Sequence, residues 1–188
     1  MYAVSSSYHD ETLMDMERAA TCLFGIKQYG VHMNGYCHHP TKGLCMWVGR
    51  RSRTKSTFPN RLDSVAAGGL SSGMPIKKCL VKECAEEASI PECIALKAVP
   101  AGAISCVYED ERGLCDETFF VYDLELPVDF MPEINDNEVS EFYLWTIEEV
   151  RFLVEPSLPV FHLYLTKPQV EEMSKQNWGS RTSDQAVP

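Results

Sequence analysis

The sequence predicts an α/β (α+β) fold, an α/β/α sandwich with a mixed central sheet. Two observations carry this. Strand-like and helix-like segments run in the order helix, strands, loop, helix, strands, helix, without the strict alternation that an all-parallel sheet requires. The chain has 188 residues, 45% of them hydrophobic, enough for one domain with a real core.

Residues 10–22 (DETLMDMERAATC) place Leu13, Met16 and Ala20 at helical spacing, with Leu23 continuing the row, and predict an N-terminal helix. The segments GVHMNGYCH and LCMWVGRR predict two strands. HPTKG joins them as a turn, with Pro40 and Gly43 supplying its chemistry. Residues 52–74 are poor in strand signals and long for an idle loop, which points to function. A helix is expected from about Pro75 to Ala88, with proline tolerated in its first turn. Residues 94–109 and 117–126 are β-rich and linked by a DERG turn, and EFYLW predicts a further strand. Thr146-Ile-Glu-Glu149 reads as a capping box opening a helix to about Val154. Thr166-Lys-Pro-Gln169 predicts a second capped helix ahead of a polar tail. The expected division is residues 1–22 as an N-terminal region, 23–166 as the catalytic-type domain and 167–188 as a C-terminal helix and tail.

The chain carries 17 Lys+Arg against 27 Asp+Glu, a net charge of −10. That balance argues against broad binding to nucleic acid or anionic membrane, though a local basic site for phosphate stays open. No apolar run approaches the length that spans a bilayer, and MYAVSSSYHD lacks the pattern of a secretory signal. Eight cysteines form no C-x-x-C pair, which disfavours zinc. Several sit in apolar runs, so reduced, buried thiols and a cytoplasmic location are the expectation.

The chemical centre is Gly68–Ile90. On a helix, Glu83, Glu86 and Glu87 share one face, while Leu80, Val81, Cys84 and Ala88 form the adjacent apolar face. Lys78, Lys82 and Ala85 are expected to point elsewhere. Three carboxylates crowded on one face repel each other, and a hard divalent cation such as Mg²⁺, or Mn²⁺, removes that cost. Gly68 and Gly69 before the helix allow close approach of the backbone to a ligand. The basic run Arg50, Arg51, Arg53 and Lys55 suits a phosphate, and alternation would put the last three on one face if the strand continued. Glu138 and Glu141 are candidate general bases. Trp47, Tyr108, Phe119 and Tyr122 are candidates for ring stacking, with core packing the commoner use. His32, His38 and His39 are read as structural or exposed.

These residues resemble the Nudix box, G-x5-E-x7-R-E-U-x-E-E-x-G-U, where U is bulky and apolar. Gly68, Glu83, Glu86 and Glu87 match, and Cys84 and Ile90 take the apolar positions. Met74 stands at the first glutamate, Lys82 at the arginine and Ser89 at the final glycine. The runs WVGRRSRTK, EEASIP, YEDERG and VYDLELP look like the Nudix branch related to a domain accompanying thiamin pyrophosphokinase. That likeness covers roughly residues 15–150; its members carry a longer N-terminal region, and the chain after Val154 resembles them poorly. The resemblance implies a Mg²⁺-dependent diphosphohydrolase that takes phosphate from thiamin diphosphate or its oxidised forms, leaving the monophosphate. It implies metal on Glu83, Glu86 and Glu87, and a small-molecule partner, with a homodimer possible. The alternatives are a weakly active or non-catalytic binding module, a hydrolase of another nucleoside-diphosphate-type substrate, and the isomerase branch of the same fold.

Overall fold

The computed structural model describes residues 1–154. It contains β1 (Tyr2–Val4), β2 (Met14–Met16), β3 (Lys27–His39), β4 (Gly43–Arg51), β5 (Leu62–Asp63), β6 (Ala66–Gly69), α1 (Ile76–Ala88), α2 (Glu92–Ala95), β7 (Val99–Asp110), β8 (Gly113–Glu125), β9 (Val139–Thr146) and α3 (Ile147–Val154). The helix expected at Thr166–Gln169, and the tail, lie outside the described residues.

The central sheet runs β5-β4-β3-β8-β7, with β6 also on β3 and β9 also on β4. β3 pairs in parallel with β8 and antiparallel with β4 and β6, so the sheet is mixed as expected. β3 is shared along its length: residues 30–33 pair with β6, and residues 35–39 pair with β4. α1 packs beside β6, at the part of β3 that β4 does not reach.

Alternation along β4 decides the layers. Trp47 joins Val31, Met33, Leu80 and Cys84 in one buried cluster. Its neighbours Met46 and Val48 join Ile147 and Val150 in another. Successive strand side chains point to opposite faces, so α1 and α3 cover opposite sides of the sheet. At the end of β9, Thr146 and Glu149 make the reciprocal capping contacts: Thr146 N donates to Glu149 Oε2 at 2.8 Å, and Glu149 N donates to Thr146 Oγ1 at 3.3 Å.

The expected helix at 10–22 does not form. Met14–Met16 instead pairs antiparallel with Tyr2–Val4, and two 3₁₀ turns, Arg18–Ala20 and Cys22–Phe24, follow. The helical row of apolar residues has no core to meet; Leu13 and Leu23 stay exposed. Strand pairing that buries Tyr2 outweighs a weak local propensity. The stretch at 52–74 is also more ordered than its composition suggests, since it supplies β5 and β6.

The expectation of reduced cysteines fails at one pair. Cys22 and Cys115 are joined by a disulfide, 93 residues apart in sequence, tying the second 3₁₀ turn to the start of β8. The partners meet only because the chain folds back across β3, which no local spacing reveals. Cys37, Cys45, Cys79 and Cys84 are free and buried. Burial, with Glu83 adding to it, pushes the Cys79 thiol up to about 11, and burial with Glu87 pushes Cys84 up to about 12. Both therefore behave as small protonated hydrophobes.

Candidate active site

A cleft of about 740 Å³ opens where β6, the second half of α1, the β7–β8 hairpin and the 52–60 loop meet. Glu83 and Glu86 line it, as do Gly68, Gly69, Lys82, Arg51, Lys55 and Glu138.

α1 starts after Pro75, in extended backbone with φ −63°, and ends at Ser89, which takes the left-handed conformation with φ +53°. Ser89 stands where the box has glycine, and its backbone supplies the same turn: Ile90 N donates to Cys84 O at 2.9 Å. Met74, at the position of the box's first glutamate, packs on the core below the helix. Leu80, Cys84 and Ala88 are buried against the sheet, and this seats the carboxylate face toward the cleft.

The three glutamates differ in setting. Glu87 is buried and accepts the backbone N–H of Ala67 at 2.7 Å. Burial holds its carboxyl well above the usual range, opposed by that hydrogen bond; the charges of Asp63 and Glu83 add to the rise. Glu83 is also raised, mainly by burial, with Lys82 pulling the other way. Glu86 is exposed at the rim. Gly68 makes room for Glu83: a Cβ there would come within 2.5 Å of the glutamate's Cγ and Oε1. At Gly69 the Tyr2 hydroxyl occupies the equivalent space. Both glycines thus receive protein side chains, whereas the sequence suggested a ligand.

Lys82 does not point away. Its Nζ donates to Glu83 Oε1 at 3.2 Å and to Glu86 Oε2 at 2.5 Å, and the Glu86 bond leads in raising its pKa. A lysine stem is long enough to curl back along its own helix face. Among the described residues, no three His, Cys, Asp or Glu side chains already converge into a metal-binding cluster. The donor set nonetheless suits Mg²⁺ or Mn²⁺: hard carboxylate oxygens that already draw a cation, the Lys82 ammonium, between Glu83 and Glu86.

The basic run separates. Arg51 and Lys55 reach the cleft, but Arg50 and Arg53 are not among its lining residues. The strand ends at Arg51, so the alternation expected through Arg53 and Lys55 is lost. Arg50 donates to the Tyr143 hydroxyl at 3.0 Å and lies 3.6 Å from Glu141, which, unlike Glu138, is not among the residues lining the cleft. Lys55 pairs with Glu138. Burial alone would raise the Glu138 carboxyl, but the Lys55 hydrogen bond and charge, with Arg51 and Arg18, bring it below its ordinary value.

Sequence reading missed Arg18, Asp63 and Phe58, which also line the cleft. Arg112 lines it too, and it lies in the YEDERG run whose likeness to a family was noted. Its guanidinium clasps Asp110, with Nη2 to Oδ2 at 2.5 Å and Nε to Oδ2 at 3.0 Å. Tyr108 and Phe119 face the cleft, while Trp47 is core and Tyr122 packs against the core cluster. His32 is buried with Nδ1 2.9 Å from Ser64 Oγ, His38 is exposed, and the His39 ring accepts backbone N–H groups of its own turn. His38 and His39 sit as structural or exposed groups, whereas His32, though buried, also lines the cleft.

A family described as a domain of unknown function (DUF4743) matches residues 1–28. The chain is 43% identical over 155 residues to Nudix hydrolase 20, chloroplastic, of Arabidopsis thaliana, covering 82% of this chain and 41% of that protein. It is 40% identical over 154 residues to Nudix hydrolase 24, chloroplastic, of the same plant, covering 82% and 42%. The chain thus spans about two-fifths of the length of these relatives. Among solved structures, DR0079 from Deinococcus radiodurans superposes with a TM-score of 0.62 at 22% identity, covering 94% of this chain and 98% of that one. The NUDIX domain of Shewanella oneidensis NrtR, solved with ADP ribose, gives 0.55 at 13% identity, covering 86% and 97%.

Proposed function

We propose that the chain is a Nudix-type Mg²⁺- or Mn²⁺-dependent diphosphohydrolase, supported by its 43% and 40% identity to two Nudix hydrolases. The observation that carries this is α1 itself: it presents Glu83 and Glu86 to the cleft, with Glu87 recessed behind them and Gly68 cut back to admit Glu83.

A bound divalent cation supplies charge neutralisation at the phosphoryl oxygens and makes water more acidic. Glu83, Glu86 and Glu87 are the residues that would hold it. Glu87 is fixed by Ala67 N–H, which leaves its second oxygen available. Glu138 accepts the proton of the attacking water; it is kept ionised by Lys55 at the cleft wall. The water oxygen bonds to phosphorus as the anhydride P–O bond breaks, and the departing phosphate takes the electron pair. Lys55 and Arg112 add positive charge at the wall, where the developing charge on the diphosphate needs it.

Thiamin diphosphate and its oxidised analogues are the first substrates we propose, on the likeness of the WVGRRSRTK and YEDERG runs to that branch. A Mg²⁺ panel assay with product identification tests this against nucleoside diphosphates, ADP ribose and dinucleotide polyphosphates. Phosphate release that survives in both Glu86→Gln and Glu87→Gln would overturn the site.

One observation favours a second reading, a binding module without turnover: Lys82 bridges Glu83 and Glu86 where the cation is required. That reading predicts ligand-dependent thermal stabilisation with no metal-dependent product, whereas hydrolysis at low enzyme concentration rejects it.

A further inference from the structure

Arg51 reads in sequence as a phosphate ligand, but the structure spends it on the protein. Nη1 donates to Asp63 Oδ2 at 2.8 Å, Nε donates to Phe58 O at 3.2 Å, and Nη2 donates to Thr57 O at 2.9 Å and Thr57 Oγ1 at 3.4 Å. The Arg51 and Asp63 side chains are only 13% and 8% exposed, so the pair is largely desolvated. Asp63 is itself anchored, accepting Ser64 N at 2.8 Å. The guanidinium fork therefore ties the 52–60 loop to the sheet at two successive carbonyls.

Those carbonyls belong to a loop turned into an unfavourable shape. Phe58 has φ +49° and Asn60 has φ +61°, a region bulky L residues avoid. A phenylalanine there needs an outside hold, and Arg51 Nε on Phe58 O provides one. The consequence is the ring's position: Phe58 meets Tyr108 of β7 with centroids 6.0 Å apart and planes at 58°. Both rings line the cleft. Tyr108 is fixed from behind, its hydroxyl donating to Glu117 Oε2 at 3.2 Å. Burial, with Glu117 adding to it, pushes that phenol up to about 12, so it stays a donor at neutral pH.

We propose that Arg51 is a positioning residue that presents Phe58 to Tyr108, and that the two rings form an aromatic corner receiving a planar ring in the substrate's head group. This rests on the diphosphohydrolase reading and refines its substrate class to diphosphates carrying a planar aromatic ring. The two planes meet at 58°, so they form a corner and not a parallel slot.

The test compares an aromatic diphosphate with methyl diphosphate in the full chain with Mg²⁺. Phe58→Leu is expected to raise KM for the aromatic compound about tenfold, leave its kcat within about twofold, and leave methyl diphosphate unchanged. Arg51→Lys is expected to reproduce that split although it contacts no ligand, and the double variant to be no worse than either single one. Binding of a non-hydrolysable aromatic methylenebisphosphonate, read as upfield ring-current shifts of its ring protons, gives an activity-independent measure. Those shifts should shrink in Phe58→Leu, where only the Tyr108 ring remains, a variant that leaves every buried charge in place. Wild-type protein that binds aromatic and methyl analogues equally would overturn the corner. Absent turnover with the ring-current shifts intact would overturn the hydrolase reading and leave the corner standing.

Discussion

The α-carbon of Gly68 lies directly beneath the carboxylate of Glu83, with no space for a single additional carbon between them. Gly68 sits in β6, paired with Val31 of β3, so it cannot move aside without disturbing the sheet. Gly68→Ala should therefore act on Glu83. We expect kcat to fall about 10²-fold and Tm to drop by a few degrees, as overpacking costs about 1–3 kcal/mol. Thermal melts of Gly68→Ala combined with Glu83→Ala check the cause: stability should recover while activity stays lost. A stable, active Gly68→Ala protein would contradict this coupling.

The burial of Glu87 carries a cost to the metal-free fold at neutral pH. Its folded pKa lies above the unfolded one, so the contribution favours folding at low pH. As pH rises past about 4.3, the unfolded carboxyl ionises first, and stability falls until the folded carboxyl ionises too. Glu87→Gln removes that penalty and keeps an acceptor for Ala67 N–H. Without metal, the variant should melt a few degrees higher than wild type at pH 7, and the gap should close near about pH 4. With Mg²⁺ the wild type should gain stability that the variant does not, while the variant loses activity. A gap that does not vary with pH would refute the burial argument.

Ser89 closes α1 in a conformation that glycine adopts freely. Left-handed backbone costs a residue with a side chain about 1–2 kcal/mol. Ser89→Gly should raise Tm by about 2–4 °C with kcat unchanged, since Ser89 does not line the cleft. Differential scanning calorimetry alongside turnover decides it; a lower Tm would show that the serine side chain contributes more than its backbone costs.

The Cys22–Cys115 bridge joins the turn that follows Arg18 to the hairpin that carries Arg112, so it links two walls of the cleft. Cross-links over such long loops stabilise by about 2–4 kcal/mol. Reduction by dithiothreitol should lower Tm by about 5–10 °C, and Cys22→Ser with Cys115→Ser should remove the sensitivity. Mass spectrometry of alkylated protein reads the bond directly. Melting that ignores the reductant would separate this bridge from stability.

The length of the chain, its periodicities and one motif sufficed to determine the sandwich class, the strands β3 and β4, the helix α1 with Glu83, Glu86 and Glu87 on one face, and the Thr146–Glu149 cap. Each of these depends on neighbours within about four positions, where dihedral geometry fixes which side chains meet. Only the tertiary structure decided that residues 14–16 pair as a strand and that Cys22 meets Cys115. It also sorted the basic run: Arg50 leaves the cleft, Arg51 is absorbed by Asp63 and the loop, and Lys55 turns to Glu138. Four adjacent cations look alike in sequence, because charge alone does not say where an arginine's donors go. The side-chain partners of Arg50, Arg51 and Lys55 lie from 6 to 93 positions away, and only the folded chain brings them within reach.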